Sequence, residues 1–243
     1  VAAVAGAIYQ HIATAHDERV FPMPGERIAI GGRSLHLYCS GSGAVTAVLE
    51  NGLTASYPTW RLVQHGLETR MRVCSYDRAG LGFSDASPNA TEARFVAGDL
   101  AALLTKAQIP PPYILVGWSA GGVFVRHYYH EHPGDVVGMV LVDSSHEQQR
   151  DRLPSNAHSA AAESALMDQL ELCSAITWTG AVRLSGAMAD VANRAVLPKD
   201  VAAEMLAMLN RTEYCAGIVH ESKDFAPTSR VPHPPHSATF PWW

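Results

Sequence analysis

The stretch Tyr113-Ile-Leu-Val-Gly-Trp-Ser-Ala-Gly-Gly-Val123 limits the fold more than any other part of the 243-residue chain. Residues 113–116 are a short apolar run that reads as a buried strand. Gly117-Trp-Ser119-Ala-Gly121 matches G-x-S-x-G, and residues 123–130 continue as a helix. A strand that turns this sharply into a helix has no room for a Cβ beside the central residue, so glycine occupies both flanks. The turn forces Ser119 into a strained backbone conformation. Its hydroxyl is pushed out at the top of a sheet, at a helix N-terminus. The rest of the chain must then supply the sheet.

The flanking sequence does so. Residues 27–30 and 35–39 alternate around Gly31-Gly32, a hairpin signal. Residues 45–49, 72–76 and 136–142 are more continuously apolar, as expected of parallel strands covered on both faces. Helices are predicted between them over 58–69 (Trp60, Leu62, Val63 and Leu67 apolar) and 91–107 (Phe95, Leu100, Leu103 and Leu104 inward). A hairpin followed by alternating strands and helices predicts an α/β fold. The sheet should be mostly parallel, with helices on both faces. Residues 1–25 read as an N-terminal helix and a polar connector (16–25), and 26–146 as the α/β core. Residues 147–212 read as a helical cap after the sixth strand, with helices at 164–176 and 199–211. Residues 213–243 read as an irregular Pro/His-rich tail. Met167, Met205 and Met208 serve helix packing or line a pocket flexibly.

Composition excludes several classes. Apolar content of 47% with 17% charged residues describes a globular protein, not a disordered one. A net charge of −5 without a basic patch argues against nucleic acid as a partner. Twelve histidines are present, but not at metal-ligand spacings, so neither a metal nor an organic cofactor is expected. His127, His130 and His132 are expected to cap a helix C-terminus and face solvent. Cys39 and Cys74 read as buried free thiols in strands. Cys173 and Cys215 could pair in an oxidising compartment. Residues 1–9 are apolar but too short to span a bilayer. They read as the tail of a signal or anchor, or as a short helix lying on the domain. The compartment stays open accordingly: cytoplasmic by default, exported or membrane-anchored if that segment continues.

With the G-x-S-x-G turn, Gly52-Leu53 and Asp77-Arg78-x-Gly80-x-Gly82-x-Ser84 in order, the chain resembles the α/β-hydrolase superfamily. It looks most like bacterial members with a long cap insertion after the sixth strand. The resemblance covers residues 27–146. It implies that Ser119 is a nucleophile, with an oxyanion hole formed by the backbone N–H groups of Leu53 and Ala120. Asn51 stands where the family often has His, which leaves the backbone donor intact. Asp77 and Arg78 would brace the sheet edge as a buried ion pair. Serine at the elbow implies acyl chemistry on esters, lactones, thioesters or amides, with a small-molecule acyl substrate.

The family order is Ser, acid, His, with the last two after the seventh and eighth strands. Only residues 215–219 offer a strand after Arg211, and the five prolines of 226–243 oppose a central strand there. Asp143, at the end of the sixth strand, is the alternative acid, or else caps the following turn. The base is sought among His146, His220, His233 and His236, of which His236 has the family's order. The expected activity is a serine hydrolase acting through an acyl-enzyme on Ser119. The alternatives are an α/β-hydrolase-like protein without a complete triad and an acyltransferase.

Overall fold

In a computed structural model of the chain, the residues described are 1–89, 91–149, 160–194 and 197–225. Helix α1 (Ala2–Val20) precedes a hairpin of β1 (Glu26–Ala29) and β2 (Ser34–Ser40). Strand β3 (Thr46–Glu50) leads through a 3-10 turn (Tyr57–Trp60) to α2 (Arg61–Leu67) and β4 (Arg72–Tyr76). Helix α3 (Ala93–Lys106), β5 (Tyr113–Trp118), α4 (Gly121–Glu131) and β6 (Val136–Val142) complete the alternation. Among the described residues, α-helices α5 (Ala160–Ile176), α6 (Ala181–Ser185), α7 (Ala187–Arg194), α8 (Lys199–Leu209) and α9 (Thr212–Asp224) follow.

The six strands form one sheet in the order β1-β2-β4-β3-β5-β6. β1–β2 and β2–β4 are antiparallel; β4–β3, β3–β5 and β5–β6 are parallel. The two-residue period of a strand separates two cores. Val48, Cys74 and Leu115 point to one face, where α3 (Leu100, Leu103, Leu104) and α4 (Val125, Tyr128) cover them. Ala47, Leu49, Val73 and Val116 point to the other and meet Trp60 and Leu67. The expected α/β sheet with helices on both faces is what forms. Among the described residues β6 is an edge, and its Val137, Val140, Leu141 and Val142 remain exposed.

Several expectations need correction. Helix α1 runs to Val20, through most of the predicted connector, because Gln10 and Asp17 find partners among the helices that follow β6. Gln10 donates to the Asn210 carbonyl at 2.7 Å, and Arg183 donates to Asp17 at 2.6 Å. In α2, Leu62 and Val63 point outward. Cys39 and Cys74 are not free thiols. They lie directly opposite in the β2–β4 register, and that cross-strand position makes the disulfide they form. Cys173 and Cys215 also form a disulfide, tying α5 to α9. Residues 215–219, the strand candidate, lie inside α9, so the tail begins as a packed helix. Of the three histidines at the C-terminal end of α4, only His130 is exposed. His127 is largely covered beside Glu131, and the His132 ring packs on Tyr128 at 4.9 Å. Met205 and Met208 pack against Tyr57, Leu81 and Tyr214, so packing is the role observed for them.

Candidate active site

β5 ends at Trp118, and Ser119 takes a left-handed backbone (φ 53°) before α4 begins at Gly121. A non-glycine residue held at positive φ is strained and persists only where its surroundings over-determine it. Here they do. The Ser119 N–H donates to the Val142 carbonyl at 3.1 Å, and its own carbonyl accepts from Gly122 (3.1 Å) and Ser145 (2.8 Å). A Cβ on Gly121 would lie 2.5 Å from the Glu50 carbonyl oxygen, and one on Gly117 would lie 2.7 Å from the Gly122 Cα. The two flanking glycines are thus required by close approach, as the motif implies.

The loop after β3 lies against this turn. A Cβ on Gly52 would stand 3.1 Å from the Ser119 Cβ and 3.0 Å from the Trp118 ring. The Leu53 side chain packs in one cluster with Ala120, Val123 and Phe124. Gly52-Leu53 and Ser119-Ala120, the two halves of the expected oxyanion hole, are therefore neighbours. Among the described residues, neither the Leu53 nor the Ala120 N–H is taken up by a hydrogen bond.

Asp77 and Arg78 are both buried, but they are not paired with each other. The Asp77 carboxylate accepts from the Tyr57 N–H (2.7 Å) and the Phe83 N–H (3.1 Å) and meets His36 Nδ1 at 2.7 Å. Arg78 pairs with Glu50 at 2.6 Å and with Glu221 of α9 at 2.7 Å. It also donates to the carbonyls of Asn51 (2.7 Å) and Gly52 (2.6 Å). Burial raises the Glu50 carboxyl above its usual range, against the pull of Arg78 and of the Tyr76 hydroxyl. Burial alone would lower the Arg78 pKa, but Glu221 and Glu50 outweigh it and keep the guanidinium charged.

Asp143 follows β6 with φ 43°, exposed, one residue beyond the carbonyl that accepts from Ser119. Among the described residues its carboxylate has no hydrogen bond or ion pair. His146 is exposed; its Nδ1 accepts from the Gln148 N–H at 3.0 Å, and its Nε2 lies 3.6 Å from Glu147. His220 lines a small cleft with Arg78 and Phe95. His233 and His236 lie outside the described residues. The structure thus brings together Ser119, Leu53 and Ala120. Among the described residues no histidine hydrogen-bonds Ser119.

Glu50 and Glu221 escaped the sequence reading. A Glu closing the apolar run 45–49 was a usable signal, because a charge at a buried strand end needs a partner. Glu221 gave none that was local. Its role depends on Tyr214, Gly217 and Glu221 sharing one face of a helix.

The sequence model of one protein family, described as alpha/beta hydrolase fold, matches residues 48–172. An uncharacterized Bacillus subtilis protein, YqjL, is 35% identical over 103 residues, which are 42% of this chain and 41% of that one. The pimeloyl-(acyl-carrier protein) methyl ester esterase of Chromobacterium violaceum is 36% identical over 109 residues, covering 45% of this chain and 41% of the enzyme. This chain therefore spans less than half the length of these relatives. An esterase structure from Exiguobacterium antarcticum superposes with a TM-score of 0.63 at 19% identity, over 82% of this chain and 72% of that one, a likeness of fold.

Proposed function

The chain belongs to the α/β-hydrolase fold family, and on that premise we propose that it is a serine hydrolase cleaving an ester or a related small acyl substrate. Ser119 is the nucleophile, attacking the acyl carbon. The N–H groups of Leu53 and Ala120 stabilise the oxyanion, each worth about 3 kcal/mol of barrier. Departure of the alcohol leaves an acyl-enzyme, which water hydrolyses. Asp143 is the acid that orients the base, and His236, placed last as the family order requires, is the base. The observation that carries the reading is the positive φ of Ser119 at the strand–helix turn, with Gly52 packed against its Cβ. The esterase among the relatives supports an ester substrate. The two disulfides support folding in an oxidising compartment. No helix among the described residues is long and apolar enough to cross a membrane.

The test is hydrolysis of p-nitrophenyl esters of increasing acyl length. Wild type should turn over a short-chain ester and Ser119→Ala should not. Equal rates for the two would refute the serine mechanism. The second reading is a hydrolase-like protein without a complete triad. It is favoured by the absence, among the described residues, of a histidine bonded to Ser119. A folded wild type inert toward every ester would decide for it.

A further inference from the structure

We infer that Arg78 is a positioning residue of the oxyanion hole. It fixes the Gly52–Leu53 peptide so that the Leu53 N–H serves Ser119, and Glu221 of α9 holds Arg78 in place. The inference rests on the proposed serine mechanism and adds a component to it.

The geometry starts from the peptide plane. In a trans peptide the C=O of one residue and the N–H of the next point in opposite directions and cannot turn independently. The Gly52 carbonyl accepts from Arg78 Nη2 at 2.6 Å, which sets the direction of the Leu53 N–H as pointing away from the guanidinium. The preceding carbonyl, that of Asn51, accepts from Nη1 of the same group at 2.7 Å. The peptide that follows is fixed too. Thr54 has a left-handed backbone (φ 62°), its N–H donates to the Glu221 carboxylate, and its carbonyl accepts from the Tyr214 hydroxyl. Leu53 is thus held from both sides, and its neighbour Gly52 sits against Ser119.

α9 is built to deliver these groups. Tyr214, Gly217 and Glu221 recur at helical spacing on one face. At Gly217 that face comes so near the Asp77–Asp85 loop that a Cβ would lie 1.9 Å from the Gly80 carbonyl oxygen. The helix can therefore seat Glu221 next to Arg78. Only arginine meets the demand. Its planar fork serves two carbonyls and two carboxylates at once, whereas the point charge of lysine cannot span them. The guanidinium also polarises the Gly52 carbonyl, and a polarised peptide is a stronger donor at its other end. Such rigid aim is what an oxyanion hole requires, because the donors must not reorganise as charge develops.

The experiment compares wild type, Arg78→Lys, Glu221→Gln and Ser119→Ala. It measures kcat and KM on p-nitrophenyl butyrate, the rate of Ser119 phosphonylation by a p-nitrophenyl phosphonate, and the melting temperature. Removal of one oxyanion donor costs about 100- to 1,000-fold in kcat, so Arg78→Lys, which misaims a donor, should lose roughly 10- to 100-fold. KM should hold, and phosphonylation should slow by the same factor, since the phosphonyl oxygen occupies the same hole. Glu221→Gln keeps one acceptor and should lose less, in the same parameter. A folded Arg78→Lys with wild-type kcat, or a loss confined to KM, would overturn the inference. If Arg78→Lys does not fold, Glu221→Gln decides by the same criteria. Failure of the serine mechanism itself is visible separately: wild type would then be inert, or Ser119→Ala would react like wild type, and the inference would fall with it.

Discussion

Two arginines gather loops at the carboxyl ends of the strands, and they do so in different surroundings. Arg78 is 4% exposed and holds Asn51 and Gly52 through their carbonyls, with the buried carboxylates of Glu50 and Glu221 around it. Arg126, on α4, is 22% exposed; it pairs with Glu147 at 3.0 Å and donates to the Ser145 carbonyl at 2.7 Å and to the Ser144 hydroxyl. The first arginine serves the side of the site where the proposed nucleophile and oxyanion donors lie. The second serves the segment after β6, where the proposed acid lies. A cluster shielded from water gives each bond a larger electrostatic value and makes every unpaired member costly. Positions near Arg78 are therefore fixed tightly. Those near Arg126 are held by partly solvated bonds that water can replace. The side of the proposed nucleophile is thus held by Glu50 of β3, Tyr76 of β4 and Glu221 of α9 around Arg78, while Asp143 stands at an exposed sheet edge.

Substitutions can break or sharpen this contrast. The largest effect is expected on activity at the β6 side. Asp143→Asn should leave the melting temperature within error, as an exposed substitution does. It should lower kcat by as much as about 10⁴-fold if Asp143 orients the base. Unchanged turnover would remove Asp143 from the mechanism. Next come the two glutamates, compared by denaturant unfolding. Glu221→Ala takes one of two carboxylates from the buried Arg78 and the acceptor from the Thr54 N–H, and should cost up to about 3–5 kcal/mol. Glu147→Ala, beside the more exposed Arg126, should cost less than about 1 kcal/mol. Equal costs would mean that the two clusters do not differ. Gly52→Ala puts a methyl against Trp118 and Ser119 and should cost about 1–3 kcal/mol through overpacking, with a fall in kcat.

The smallest effect concerns pH and Asp85, which follows the Arg78 loop. The Ser34 N–H, donated to Asp85 at 2.7 Å, and then Arg27 hold its carboxyl below the usual value of 3.8. An acid whose folded pKa is depressed lends stability above its unfolded pKa and loses it as pH falls through the folded one. The melting-temperature gap between wild type and Asp85→Asn should therefore be constant near neutrality and shrink below about pH 3.8. A gap that grows on acidification would reverse the sign and contradict the assignment.

The elbow and the six strands were legible because their signals are local. Gly117 and Gly121 mark a turn, and each strand is an uninterrupted apolar or alternating run. What was not legible is non-local. The Cys39–Cys74 disulfide follows from the register of β2 on β4, which no window of sequence contains. Residues 215–219 are an apolar run too short to distinguish strand from helix by period. They become helix because Tyr214, Cys215 and Ile218 find a buried surface. Arg78 was expected beside Asp77 because the two are adjacent in sequence. Each instead found partners on other elements.

The most direct measurement is intact-mass analysis after reaction of the folded protein with a fluorophosphonate, followed by peptide mapping. A single adduct on Ser119 in wild type, and none on Ser119→Ala, is the expected result. A folded wild type that takes no adduct, or a Ser119→Ala variant labelled as readily, would contradict the claim that this turn presents an activated nucleophile.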